Sequence, residues 1–528
     1  VLTALAVAAL LVSHRGVRIA RLWLAFVVAA SSSVVVQWAA GQVHFGGDAY
    51  MTLLYLGAFA LALGLGSQLA LDFDPVSSRL AAALHWGIAA AAVLSVGIAL
   101  QQWLGPGAWG IWSTDRPLTL RPFANVSQPN HFSTLCFLGL ASLAWLRQSA
   151  QVGTPASWLP ALLLVTGIAL SGSRTGFLQL AALFGLSALH ARRVRLNPGP
   201  IECFAWLGAL VVGAMVWQPA NRLVFGSEVG RTVAEALTAG GTRTQHWLAL
   251  SDAALREPWF GYGWSQISAA QMRVAADHPY VGEHITHSHN LVLDLVLWTG
   301  IPLGLVLTAM IFLWFTRALR APQDAPAFWA TCGAVGVLVH ALLEYPHTYA
   351  YFLVPMGLMC GMAGRHSDSR LVEVPPVVAG AAVLAFGAAM VPLLLEYPRA
   401  EDAFRDLRME SAGFAPAGKA APAEFTVLTQ LDNLQRFGRV QARPQMPAGE
   451  VEWMRHVAQR YSYPGVMLRY ALAAGLNGDA AAAQHVLRSL CRMHPRARCS
   501  ELHDAWQGLV KTYPQLQSIA LPERPDPE

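Results

Sequence analysis

Twelve apolar runs dominate this chain, near 1–13, 22–41, 50–71, 80–104, 131–147, 157–171, 175–190, 201–217, 290–316, 326–343, 348–364 and 374–396. A bilayer core about 30 Å thick needs about 20 apolar residues in a helix to cross it. Only helices and closed barrels satisfy their own backbone there, so runs of this length predict a polytopic helical bundle. The first run is short and begins at Val1. It reads as an incomplete first span and not as a signal peptide.

Composition agrees. Only 13% of the 528 residues are charged and 55% are hydrophobic, with a mean hydropathy of +0.41; ordinary soluble domains carry roughly a quarter charged residues. That balance excludes an ordinary soluble enzyme core. The net charge of +5 does not imply nucleic acid, because the arginines fall mostly in short loops between apolar runs, where membrane orientation accounts for them. Four of the six cysteines, Cys136, Cys203, Cys332 and Cys360, sit in or beside apolar runs as small hydrophobes. Cys491 and Cys499 lie in polar sequence, where a bridge is open to them if geometry permits.

Sidedness follows from the arginines. The connections holding Arg15, Arg18 and Arg21, then Arg79, Arg147, Arg192, Arg193 and Arg195, Arg317 and Arg320, and Arg365 and Arg370 form one alternating set, cytoplasmic by the positive-inside rule. The other set, including 105–130, the turn at 171–174, the long loop 218–289, the turn at 344–347 and everything after 397, faces the periplasm. The expected organisation is a transmembrane domain over 1–396, carrying the loop 218–289, and a small helical periplasmic domain over 397–528. In the latter, Asp479 caps a helix whose Ala483, Val486, Leu487, Leu490 and Cys491 share one face. With a preceding helix over about 465–474 it resembles one tetratricopeptide hairpin. The segment 410–423, rich in Ala, Gly and Pro, reads as a linker.

Several polar motifs interrupt this pattern. Ser171-Gly-Ser-Arg174-Thr-Gly176 joins two short apolar runs, implying a turn sunk into the bilayer. An arginine there is costly unless it meets an anion, the alternative being a side chain that snorkels to headgroups. Arg243, before Trp247, suits a pyrophosphate oxygen or a loop salt bridge to Glu257 or Glu283. The aromatic run Pro258-Trp-Phe-Gly-Tyr-Gly-Trp264 suits the membrane interface. At the end of the loop, His284-Ile-Thr-His287-Ser-His289-Asn290 offers a base that titrates near neutral pH, or a polar cap for the next helix. With His278 these make four histidines, but their spacing matches no standard zinc signature. No metal and no other cofactor is expected. Gln128-Pro-Asn130-His131 and Glu344-Tyr-Pro-His347 fall on the same face as Arg174, Arg243, His287 and His289. Asp72-Phe-Asp74 has a metal-binding look but lies on the cytoplasmic side, where it reads as a solvated pair.

Taken in order, Gln128-Pro-Asn-His131, Ser173-Arg174-Thr-Gly176, Arg243, Pro258-Trp-Phe-Gly-Tyr-Gly263, His287-Ser-His289-Asn290 and Glu344-Tyr-Pro, with Tyr351-Phe-Leu-Val-Pro, resemble the O-antigen ligase superfamily and its protein O-oligosaccharyltransferase branch. The resemblance spans about 120–364. It implies an all-α, GT-C-type inner-membrane transferase of about twelve helices, taking a glycan from undecaprenyl pyrophosphate without a metal and with inversion. By the same resemblance His289 is the essential histidine and Arg174 and Arg243 grip the pyrophosphate. Gln128, Asn130, His131, His287 and Glu344 are candidates for substrate binding. The acceptor implied is a Ser or Thr of a periplasmic or pilin-like protein, with lipid A-core or a second lipid-linked glycan as alternatives. A transporter is less in keeping with a chain that shows no clear internal repeat.

Overall fold

The computed structural model describes residues 16–70, 75–105, 107, 110–114, 121–225, 242–320, 324–367, 370–412, 414 and 424–525. The run 1–13, Asp72-Phe-Asp74 and most of the linker 410–423 therefore lie outside the described residues. The helices are α1 (Arg21–Ala39), α2 (Gly46–Leu69), α3 (Pro75–Leu104), α4 (Pro129–Gln148), α5 (Thr154–Ser171), α6 (Arg174–His190), α7 (Pro200–Phe225), α8 (Arg243–Arg256), α9 (Ile267–Val274), α10 (Leu291–Thr299), α11 (Ile301–Arg320), α12 (Ala325–Ala341), α13 (Ala350–Ser367), α14 (Pro376–Ser411), α15 (Thr429–Arg439), α16 (Ala448–Arg460), α17 (Pro464–Leu476), α18 (Ala480–Met493) and α19 (Arg496–Thr512). Among the described residues seven of these, α1, α2, α3, α5, α7, α11 and α14, are long and apolar enough to cross a membrane, and α12 and α13 are shorter apolar helices. The chain is thus a multi-pass helical membrane protein.

It is not wholly helical. Strands β1 (Val17–Ala20) and β2 (Leu371–Val374) pair antiparallel, with Val17 opposite Val374 and Ala20 opposite Leu371. Both lie in connections expected to be plain loops. Their β-branched Val17, Ile19, Val372 and Val374 favour the extended backbone that a ladder needs.

The chain divides into two compact units. The first holds Val1–Phe26, Gly57–Gly240 and Met310–Val383. Its centre is α4, buried almost continuously from His131 to Arg147 and packed by α3, α5, α6 and α12. Close approach needs small residues: a Cβ on Gly336 of α12 would overlap the Phe137 ring. At the end of α4, Arg147 is only 4% exposed; it pairs with Glu202 in the first turn of α7 and donates to Asn197 Oδ1 at 2.8 Å. This arginine is therefore committed to an internal ion pair instead of a solvated loop.

The second unit holds Val27–Leu56, Gly241–Ala309 and Leu384–Glu528. The run 290–316, expected as one span, is broken at Gly300 into α10 and α11. The cause is the backbone of the aromatic motif. Tyr262 N donates to Leu297 O (2.7 Å), Gly263 N to Trp298 O (3.1 Å), and Ile301 N back to Pro258 O (2.7 Å). Gly300 (φ 81°) and Gly261 (φ 67°) sit at the crossing. A Cβ on Gly300 would overlap the Trp259 carbonyl, and one on Gly261 the Leu297 carbonyl. Trp264 stacks on Trp298 with centroids 4.8 Å apart, while Trp259 and Phe260 stay exposed, as suits side chains at a membrane interface.

Within this unit the tail packs against earlier parts of the chain. Phe45, Met272 and Ala275 share one apolar core with Met454, Met467, Leu487 and Trp506, and the Met272 carbonyl accepts from Ser489 Oγ at 3.0 Å. Half-buried Arg460 forks onto both oxygens of buried Asp48 at 2.9 Å each. The hairpin α17–α18 forms as its sequence suggests, with Asp479 accepting from Ala482 N (2.9 Å) and Ala483, Val486, Leu487 and Leu490 buried. Cys491 is bonded to Cys499.

Substituting Gly261→Ala should test the crossing. A left-handed non-glycine residue costs about 1–2 kcal/mol before any clash, so the purified variant should melt measurably lower than the parent. An unchanged melting temperature would contradict the crossing.

Candidate active site

The residues singled out from sequence fall into two sets, one in each unit.

In the first unit, α4 begins beside the turn between α5 and α6. Pro129 fixes the first turn, and Gln128 precedes it in extended conformation, its Oε1 buried and without a partner among the described residues. Asn130 is the link. Its Oδ1 accepts from Ser173 Oγ at 2.7 Å, and its Nδ2 donates to Glu344 Oε1 at 2.9 Å. Glu344 is 2% exposed, so a charge-assisted bond from Asn130 offsets part of its desolvation. Ser173 occupies the cap position of α6 and Arg174 its first residue; Asn130 and Glu344 thus position the residue before Arg174. Arg174 itself is half-buried.

The turn is held from the other side by Arg121, which sequence reasoning passed over. Its guanidinium donates to Ser171 O (3.0 and 2.9 Å) and Gly172 O (3.3 Å). These are orphan carbonyls at the end of α5. Gly172 takes the left-handed conformation (φ 58°) that ends the helix. A Cβ on Gly176 would run into Ile168 and Ser133, so α6 can lie flat against α4 and α5 only with glycine there.

His131 is buried at 1% exposure. Its Nδ1 is bonded to the Tyr351 hydroxyl at 3.0 Å, and the ring is surrounded by Tyr349, Phe352 and His340 at centroid distances of 4.5, 5.3 and 5.4 Å. One turn along, Thr134 Oγ1 meets His340 Nδ1 at 2.9 Å, and Gln179 Nε2 donates to Thr134 Oγ1 (2.9 Å) and Gly336 O (2.8 Å). After α12, Glu344 precedes the short 3-10 turn Pro346–Thr348, and His347 lies within it.

In the second unit, Arg243 is the first residue of α8, and Thr242 before it donates to Glu283 Oε2 at 2.8 Å. The histidine segment is fixed by backbone contacts. Trp247 Nε1 donates to Ser288 O at 2.8 Å, Ser288 N to Asp294 Oδ1 at 2.7 Å, and Asn290 Oδ1 caps α10 by accepting from Val292 N (3.0 Å) and Leu293 N (3.2 Å). Between these anchors His289 takes φ 59°, a conformation uncommon outside glycine that persists where the surroundings impose it. Asp294 is wholly buried, with an oxygen 3.8 Å from His287 Nδ1. A lone carboxylate in an apolar run is a functional signal that the sequence already carried. The other two histidines have separate partners: His278 meets Asp252 Oδ2 at 2.9 Å and His284 meets Ser268 Oγ at 3.0 Å. Burial, then the charges of His494 and Arg460, hold His284 down at about 4.

The chain is similar to known proteins along much of its length. Residues 122–146 match a family model described as protein glycosylation ligase, 159–309 one described as O-antigen ligase, and 328–509 one described as virulence factor membrane-bound polymerase, C-terminal. The chain is 28% identical over 482 residues to a general O-oligosaccharyltransferase of Acinetobacter baylyi, covering 88% of this chain and 82% of that protein. It is 26% identical over 340 residues to a ComP-specific O-oligosaccharyltransferase of the same organism, covering 64% of this chain and 60% of the relative.

Two expectations follow. Asn130→Leu removes a partner from both the Ser173 hydroxyl and the Glu344 carboxylate, and should destabilise the protein by about 2–4 kcal/mol. Unfolding within experimental error of the parent would show that neither bond matters. The second concerns pH. With the folded value of His284 near 4 and an ordinary unfolded value of about 6.5, the unfolded chain takes up the proton first. Its contribution is whole above about pH 6.5 and is lost as pH falls towards 4. His284→Gln should flatten the stability profile across that window, as read by melting at stepped pH.

Proposed function

This chain belongs to the O-antigen ligase superfamily, in its protein-glycosylating branch, and we propose that it moves a glycan en bloc from undecaprenyl pyrophosphate to a Ser or Thr hydroxyl of a periplasmic or pilin-like protein. It is a membrane glycosyltransferase; on this reading it sits in the inner membrane with about twelve spans and with its chemistry and tail facing the periplasm. The transmembrane domain 1–396 carries the reaction, and 397–528 serves as the periplasmic helical portion.

The acceptor oxygen attacks the anomeric carbon from the side opposite the pyrophosphate. The glycosidic carbon–oxygen bond forms as the bond to the pyrophosphate breaks, so the anomeric centre inverts. His289 takes the proton of the hydroxyl, a role worth about 10²–10⁴-fold. The departing undecaprenyl pyrophosphate keeps the bonding pair and gains a further negative charge on the oxygen released from the anomeric carbon; Arg174 and Arg243 meet this developing charge with guanidinium donors, and no metal is required. Gln128, Asn130, His131, His287 and Glu344 serve substrate binding, Asn130 and Glu344 by fixing the turn that carries Arg174 and buried His131 through its bond to the Tyr351 hydroxyl.

The observation that carries this reading is the backbone of His289. A histidine held at φ 59° between Trp247, Asp294 and the Asn290 cap has its backbone, and with it the Cα–Cβ direction from which the ring projects, set before substrate arrives, which favours preorganised acid–base chemistry.

The test is reconstitution in vesicles with lipid-linked glycan and a pilin-like acceptor, with lipid A-core as the competing acceptor. His289→Ala should lose transfer at least 100-fold with insertion unchanged. Arg174→Lys and Arg243→Lys should each be impaired, because lysine keeps the charge and loses the planar fork. The double variant should fall short of the product of the two losses. Parental rates in both lysine variants would remove the pyrophosphate assignment, and parental transfer by His289→Ala would remove the base.

A further inference from the structure

In the second unit a cavity of about 620 Å³ opens between the end of α18, the start of α19 and the segment 276–280. Its lining is strongly cationic. Arg488, Arg492, Arg496 and Arg524 face it, with Glu523 the single carboxylate among the lining residues. Two of these arginines are engaged: Arg524 pairs with Asp504 at 3.0 Å, and Arg496 lies over the Tyr280 ring at 5.3 Å. Arg488 and Arg492 are exposed and make no side-chain hydrogen bond or ion pair among the described residues.

This arrangement works against the helix that carries it. Like charges four residues apart on a helix destabilise it by about 0.2–0.5 kcal/mol. The helix dipole accounts for a cation in the last turn, where Arg492 lies, but not for Arg488 a turn earlier. The wall is also rigid. The Cys491–Cys499 bond joins the end of α18 to α19 beside Arg492 and Arg496, and the Arg492 carbonyl accepts from Val281 N (3.2 Å) and Gly282 N (3.0 Å). Unneutralised guanidinium groups on a fixed frame form a site prepared for an anion, since little ordering remains to be done on binding.

We infer that this cavity docks a carboxylate-bearing peptide segment which, on the reading above, belongs to the acceptor protein. The Cβ atoms of residues one helical turn apart are separated by about 5–6 Å, so two arginines rooted there can reach carboxylates spaced like alternate side chains of an extended peptide, roughly 7 Å apart. Each can fork onto one carboxylate. Leu521 and Pro522 add an apolar wall that suits the aliphatic side chains between acidic residues. The tail then selects the acceptor, away from the chemistry of His289.

The experiment uses the full chain in nanodiscs and a fluorescein-labelled peptide of alternating Glu and Ala, with its Gln counterpart as control, read by anisotropy. The Glu peptide should bind, the Gln peptide at least 10-fold more weakly, and Arg488→Glu/Arg492→Glu should lower Glu-peptide affinity at least 10-fold with an unchanged melting curve. Arg488→Gln/Arg492→Gln should fall between. Equal binding of the Glu and Gln peptides, or parental affinity in the charge-reversed protein, would overturn the assignment. So would displacement of the peptide at lower concentration by inorganic phosphate, by an acidic oligogalacturonide or by phosphatidylglycerol vesicles. In the transfer assay the same double variant should raise KM for a protein acceptor with kcat kept. Because peptide binding is read without donor, its failure is distinct from a failure of protein glycosylation itself.

Discussion

A polar group inside an apolar bundle has no water to turn to, and leaving it unpaired costs several kcal/mol. Much of the arrangement around α4 follows from that constraint. Asn130, Ser173 and Glu344 come from three separate helical connections, and each is tolerable there because another answers it. Thr134, His340 and Gln179 form a second such chain one turn deeper. Their joint effect is directional: the start of α6 has little freedom to rotate, and the first residue of that helix is an arginine. Asn130 and Glu344, candidates for substrate binding in the sequence, are thus hydrogen-bonded to each other.

In the second unit the same constraint acts on the backbone. Breaking a helix at Gly300 frees carbonyls and amides, and the 258–263 segment takes them up. Aromatic side chains then cover the junction, with Trp264 stacked on Trp298. The histidine segment is fastened just before α10, so its geometry depends on where that helix starts. A tryptophan indole, a buried aspartate and an asparagine cap all hold this start in place.

Much of this was legible in advance, for reasons that differ by residue. Helices such as α1, α2 and α3 announce themselves because apolar length alone decides them. The Asn290 and Asp479 caps were readable from local chemistry. The break at Gly300 was not, because the hydrogen bonds that cause it come from about 40 residues away, and hydropathy averages over a single glycine. Arg121 was passed over since nothing in its own neighbourhood connects it to Ser171. Likewise no local signal joins Asn130 to Glu344, whose positions differ by 214. The tail reads as a separate domain because polar sequence begins there, yet its core is completed by Phe45, Met272 and Ala275 from earlier in the chain. Sequence composition marks solvent exposure and leaves partnership unmarked.

The pairing of β1 with β2 has a consequence for how the protein is made. Val17–Ala20 emerge among the first described residues, and their partner Leu371–Val374 follows only after about 350 more. At about 5–20 residues per second, a ribosome takes roughly 20 to 70 s to cover that distance. Throughout that interval one edge of an early-made segment has hydrogen-bonding groups with no ladder to join. The first unit is therefore finished late in synthesis, and a nascent chain stalled before residue 371 would carry its helices with this seam still open.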